Sequence, residues 1–291
     1  MAADAAELLK QGQLDEALAA LTSEVRAKPA DHKLRIFLFQ LLCVRGEWKR
    51  AMTQLNVAGE MHAENALMAE VCRPALNCEA LRAQIFAGQR APMPFGEPED
   101  WVVWLIQASQ LVAQGELAAA AELRDRAFAA APAVGGTING EEFEWIADAD
   151  TRLGPILEAI VEGRYYWIPF PNIAQIVMEE PADLRDAVWT PAHFTWSNGG
   201  TSVGLIPTRY PGSESSDDPG IRLARKTDWT EKDGGHYIGL GQRMLCTDQG
   251  EYPLMDVRAI IVGDGPPEAS EEALPPEVED DSGGGEGDAD A

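Results

Sequence analysis

The chain has 291 residues, 45% of them apolar and 24% charged, enough to bury one large core or two ordinary ones. Its 48 acidic side chains outnumber 23 basic ones, for a formal net charge of −25. With no run of Lys or Arg, that balance argues against a nucleic-acid partner and against an anionic membrane surface, since both need a basic face.

Residues 3 to about 162 are rich in Ala, Leu and Glu at helical spacing, and they contain a repeat. Gly12-Gln-Leu14-Asp-Glu-Ala17 recurs 34 residues later as Gly46-Glu-Trp48-Lys-Arg-Ala51, and again as Gly115-Glu-Leu117-Ala-Ala-Ala120. Gly, a large apolar residue and Ala at these offsets form the tetratricopeptide pattern. Gly closes one helix, and Ala lets the next approach it closely. Pro29 and Pro132 sit where second helices should stop, and Trp104 falls on the repeat's usual Trp position. No copy is recognisable between Met61 and Gly96; Ala63 to Phe86 instead reads as one long helix, bent or broken near Pro74. A further helix is expected from about Glu141, with Asp148, Asp150 and Glu158 on a polar face.

The longest apolar-rich stretch, Ile36 to Val44, is interrupted by Gln40 and falls far short of the ~20 residues of a membrane span. The N-terminus lacks a basic region followed by an apolar core, so no signal peptide is expected. Three of the four cysteines (Cys43, Cys72, Cys78, Cys246) lie on apolar helical stretches, as small core residues do. The expectation is a cytoplasmic protein.

After Gly163 the period changes. Tyr165–Ile168 reads as a strand stopped by Pro169, Asn172 to Met178 as a helical turn or two, and Asp183 to Asp186 as a short helix start. Thr195-Trp-Ser followed by Asn198-Gly-Gly and Thr201–Ile206 is a hairpin signal. Tyr237–Leu240, Arg243–Thr247 and Val257–Val262 are further strands. The reading is α+β: an N-terminal tetratricopeptide-like helical array (1–162), then a mostly antiparallel β domain (163–262). A Pro/Gly/Glu/Asp-rich tail (263–291) is expected to be disordered, since it has little apolar surface to bury. From Asp264 onward it holds eleven acids and no Lys or Arg.

No metal or catalytic constellation emerges. The four histidines show no i, i+3 or i+4 pairing, and Cys72 and Cys78 have no second pair. The Gly-rich stretches lack a phosphate-loop context, and no nucleophile elbow is present. A helical array offers instead a concave face for peptides or helices. That face carries Ile36 and Gln40 in the second copy and Val102 and Leu105 in the third, unless the chain's own C-terminal half fills it. In Thr208-Arg209-Tyr210-Pro211-Gly212 the guanidinium suits a partner's carboxylate, or an intramolecular pair with Asp183, Asp186 or Glu180.

GRYYWIPF (163–170), PADLRDAVW (181–189), NGG (198–200) and IPTRYPGSE (206–214) resemble the ImpE/TagJ (SciE) family. FLFQLLCVRGEW (37–48) and FEWIADADTRLGPILEAI (143–160) fit it too, so the resemblance covers roughly residues 5 to 262. It implies a bacterial cytoplasmic accessory component of the type VI secretion system. The implied partner is the small contractile-sheath subunit, held by its N-terminal helix, with an indirect link to sheath assembly or to recycling by the Clp-type disassembly ATPase. The family carries no catalytic residues to transfer and implies no cofactor.

Three expectations follow. In the first, a helix lies in the concave groove on Ile36, Gln40, Val102 and Leu105. In the second, the C-terminal domain binds through Tyr165, Trp167, Trp189 and Arg209. In the third, Asp148, Asp150 and Arg209 surround a small-molecule pocket, although no nucleophile–base pair accompanies them.

Overall fold

The computed structural model describes residues 5–266; the expectation for the acidic tail lies outside them. Three helical hairpins and one long helix make the N-terminal part. They are α1 (Ala5–Lys10) with α2 (Leu14–Ala27), α3 (His32–Val44) with α4 (Trp48–Met61), the 24-residue α5 (Ala63–Phe86), and α6 (Asp100–Gln114) with α7 (Leu117–Ala130). The repeat's small residues do what their spacing implies: Ala17, Ala51 and Ala120 have no exposed surface, so each marks a close helix–helix approach. Pro74 is accommodated inside α5, which runs on through it.

The repeat's glycines close their helices in the left-handed region, Gly46 at φ +70° and Gly115 at φ +83°. A Cβ on Gly46 would lie 2.5 Å from the Glu214 side chain, whereas one on Gly115 meets nothing within 4 Å. Gly115→Ala is therefore expected to cost only the left-handed conformation, about 1–2 kcal/mol. Gly46→Ala should cost roughly 1 kcal/mol more, because Glu214 must move. Urea unfolding midpoints compare the two, and equal losses would show that the Gly46–Glu214 packing contributes nothing.

The rest of the chain is mostly antiparallel β. One sheet takes β1 (Met93–Pro94), β2 (Gly136–Ile138), β3 (Glu141–Phe143), β5 (Ile156–Val161), β6 (Arg164–Pro169) and β7 (Ile173–Met178). It is completed by β8 (Trp189–Trp196), β9 (Thr201–Pro207) and β14 (Ala259–Val262). The order is β1-β6-β5-β9-β8-β7-β14-β2-β3, and only the β1–β6 pair is parallel. A three-stranded sheet joins β4 (Ile146–Asp148), β12 (Met244–Thr247) and β13 (Glu251–Pro253), and β10 (Thr227–Lys232) pairs with β11 (His236–Gly241). The short α8 (Pro219–Arg222) follows β9.

Two expectations are corrected here. The helix expected from Glu141 through the end of the 1–162 segment is absent: the helical array stops at Ala130, and β2, β3, β4 and β5 lie within 136–161. The physical reason is that β5 is buried on both faces. Ile156 and Ile160 point into the helical core, while Leu157, Ala159 and Val161 point into a second, all-β core. A strand buried on both sides is a continuous apolar run, which periodicity alone does not separate from a buried helix. Asp148 and Asp150 accept backbone N–H groups two residues ahead, making turns of the kind Asp favours before Gly154-Pro155. Ile173–Met178, expected as helical turns, is β7, preceded by a single 3₁₀ turn at Phe170–Asn172.

The seam between helices and sheet is a buried ionic network. Glu158 on β5 takes the Arg82 guanidinium of α5 through two hydrogen bonds of 2.6 and 2.7 Å. It also takes Arg243, which reaches on to Asp148, and accepts the Tyr165 hydroxyl. Trp167 donates its Nε1–H to Tyr165 at 2.9 Å, and Trp189 donates to Glu79 of α5 at 2.8 Å. Glu158 and Arg243 have no exposure at all.

Candidate functional site

Of the eight residues expected to contact a partner, seven are buried. Gln40 is 7% exposed, Val102 and Leu105 not at all, and Tyr165, Trp167, Trp189 and Arg209 at most 4%. Only Ile36 keeps substantial surface. At α3 the chain's own C-terminal half packs on the array, and the helix is buried without interruption from Leu38 to Val44. Arg209 donates to the carbonyls of Val44 at 2.8 Å and Cys43 at 3.3 Å, and also to that of Arg222. It thus satisfies carbonyls left free at the end of α3 and puts a cation at the negative end of that helix dipole. Burial pulls its pKa down to about 10, which leaves it charged at neutral pH. Two of the three acids expected to pair with it are otherwise engaged: Asp183 holds Arg185 at 2.6 Å, and Asp186 accepts the N–H groups of Ala182 and Asp183; the third, Glu180, is exposed. Arg225 treats α1 as Arg209 treats α3, donating to Leu9 and Lys10 carbonyls. The Thr208–Glu214 motif therefore plugs the helical array.

Asp148, Asp150 and Arg209 do not enclose a small-molecule site. Asp148 is held by Arg243 and the Tyr210 hydroxyl, while Asp150 takes Arg152 and the Gly239 N–H. Among the described residues no group of three or more His, Cys, Asp or Glu is placed to hold a metal ion. No described helix is long and apolar enough to cross a membrane. The four cysteines are free, and burial pushes the Cys78 thiol up to about 11.

An open groove of about 660 Å³ lies between the N-terminal half of α5 and the outer face of β8 and β9. Leu67 and Val71, one turn apart on α5, form one wall, and Pro191, Val203 and Leu205 form the floor opposite. Leu67 is 71% exposed and Val203 63%, the two most exposed large apolar side chains among the described residues, and Val71 is 49% exposed. The β8–β9 register places Pro191 beside Leu205 and His193 beside Val203. Apolar side chains that face the same opening from two different elements mark an interaction site.

The sequence did carry a signal for these residues. In Thr201-Ser-Val-Gly-Leu-Ile206, Val203 shares its side of the strand with Thr201 and Leu205, the side opposite buried Ile206, where a solvated strand would place polar residues. Helix α5 likewise buries Ala69, Cys72 and Leu76 while leaving Leu67 and Val71 outside its core stripe. A helix with apolar residues beyond its core stripe has a second surface to cover.

Relatives agree with this architecture. The ImpE protein family model matches residues 140–261, and a tetratricopeptide-repeat model matches residues 8–73. The crystal structure of protein VPA1032 from Vibrio parahaemolyticus superposes with a TM-score of 0.78 at 26% identity, over 89% of this chain and 97% of that one. A Pseudomonas aeruginosa protein, "Type VI secretion system accessory component TagJ", is 49% identical over 256 residues, spanning 88% of this chain and 90% of the relative. At that identity over nearly the whole length, and with the ImpE match across its β half, the chain belongs to the ImpE/TagJ family.

Proposed function

We propose that this chain, a type VI secretion accessory protein by family, is a non-enzymatic cytoplasmic adaptor. It captures the small contractile-sheath subunit by laying that subunit's N-terminal helix in the groove beside α5. In that role it serves sheath assembly, or recycling by the Clp-type disassembly ATPase. One observation carries the reading: Leu67 and Val203 face a single groove while Gln40, Val102 and Leu105 of the array are buried. An apolar groove walled by a helix takes an amphipathic helix, whose anchors recur at i, i+3, i+4 and i+7. The commitment of Asp148, Asp150 and Arg209 to internal partners supports a binding role over catalysis. The β domain enters through Pro191, Val203 and Leu205, with the largely buried Trp189 also lining the groove, while Tyr165 and Trp167 do not line it.

The test is titration of a fluorescent peptide from the small sheath subunit's N-terminal helix with the full chain. Saturable binding with a Kd on the order of micromolar is expected for a single helix in a groove. Absence of saturation by folded protein at concentrations far above that would overturn the adaptor reading.

A further inference from the structure

We infer that the groove selects a cationic amphipathic helix about three turns long, whose apolar stripe is flanked by Lys or Arg. This rests on the groove being the partner site proposed above, and it adds what kind of helix fits.

Length follows from α5. Glu64 and Pro74 bound the groove along this helix, and ten residues at ~1.5 Å each span about 15 Å, or about three turns of a helix lying alongside. Helical rather than extended geometry follows from the floor. Gly204 and Leu205 pair with β8 on one side and β5 on the other, so at this point β9 offers side chains and no free backbone edge.

Charge selects the flanks. Four carboxylates line the groove, those of Glu64, Glu70, Glu162 and Asp186, against the single guanidinium of Arg185. Arg185 is held by Asp183, and Asp186 is buried and occupied by backbone N–H groups. Glu64, Glu70 and Glu162 are exposed. Among the described residues Glu70 and Glu162 have no ion-pair partner, and Glu64 has only the His62 ring at 3.6 Å. The groove therefore presents uncompensated negative charge on both of its walls, from α5 and from the β5–β6 turn. Carboxylates at a rim raise association rates for a cation and disfavour an anion. A second copy of a chain with net charge −25 brings like charge, and so do its own eleven acids from Asp264 onward. The fitting occupant is a basic segment of another protein.

The probe is a pair of designed peptides, identical amphipathic helices of three to four turns with Leu at the stripe and either Lys or Glu at the flanks. They are titrated against the full chain and against a triple variant, Glu64→Gln, Glu70→Gln, Glu162→Gln, whose exposed sites leave the fold untouched. The Lys peptide is expected to bind at least about tenfold tighter at low salt, because three exposed pairs each add a small increment. That preference should shrink once the Debye length falls to about 10 Å near 0.1 M salt, and should vanish in the triple variant. Equal binding of the two peptides, tighter binding of the Glu peptide, or a preference that survives in the triple variant overturns the inference. If neither peptide binds, the groove is not a helix acceptor and the inference fails with it. A sheath peptide that binds the wild type and the triple variant alike removes the charge selection and leaves the adaptor reading standing. A sheath peptide that does not bind at all removes that reading, while the designed pair still decides the chemistry of the groove.

Discussion

Glu158→Ala is expected to destabilise the protein by about 3–5 kcal/mol, because it leaves two buried guanidinium groups without their shared carboxylate. Arg82 and Arg243 approach Glu158 from α5 and from the start of β12, and neither has water to turn to: their exposures are 4% and 0%. Burial already pulls the Arg243 pKa below its ordinary value, with Arg82 adding repulsion and Asp148 opposing both. Removing Glu158 deletes an attraction and keeps the desolvation and the repulsion. Tyr165 also loses its acceptor, and Trp167 donates to that same hydroxyl, so the disturbance passes into the aromatic seam. A loss of this size shifts the urea midpoint and lowers Tm by roughly 10 °C for a folded unit of this length. A loss under about 1 kcal/mol would mean that the seam is held by packing alone.

Leu67→Glu is expected to abolish capture of the sheath-subunit helix, a loss of about 2 kcal/mol or more, at least about thirtyfold in Kd, while leaving stability nearly unchanged. The two halves of that expectation have separate causes. A side chain that is 71% exposed contributes little to the fold, so replacing it is tolerated. Once a partner covers the groove, the new carboxylate is desolvated without a counter-charge beside Val71 and Val203. Val203→Glu should act alike from the opposite wall. Ile36→Glu, on the concave face, should leave binding intact. Loss of binding in Ile36→Glu with retention in Leu67→Glu would return the partner to the helical array.

Much of the architecture is written locally. The small Ala of each repeat, the helix-closing Gly46 and Gly115, and the Asn198-Gly199-Gly200 turn between β8 and β9 depend on neighbours a few residues away. Residue type and spacing therefore suffice to place them. The 24-residue α5 is legible for the same reason, although it runs through Pro74 without a break.

The stretch 141–162 fails because its periodicity reports burial on both faces of β5, not helical amphipathicity. The candidate contacts on Ile36, Gln40, Val102 and Leu105 come from sound repeat reasoning, yet three of the four are buried in the folded chain. Arg209 illustrates the same limit. Its neighbours in sequence suggest a carboxylate partner, and what it meets are carbonyl groups 165 and 166 residues earlier.

By itself, then, the sequence determined the helical array followed by an antiparallel β half, the turns between strands, and family membership, since each rests on short-range pattern. Only the tertiary structure decided that Glu158 unites Arg82, 76 residues before it, with Arg243, 85 residues after it. It also decided that Gln40, Val102 and Leu105 are buried and that Leu67 and Val203 are left uncovered on opposite sides of one groove. The physical reason is that burial and charge pairing belong to the folded surface as a whole. A residue's exposure is set by whichever distant segment comes to rest on it.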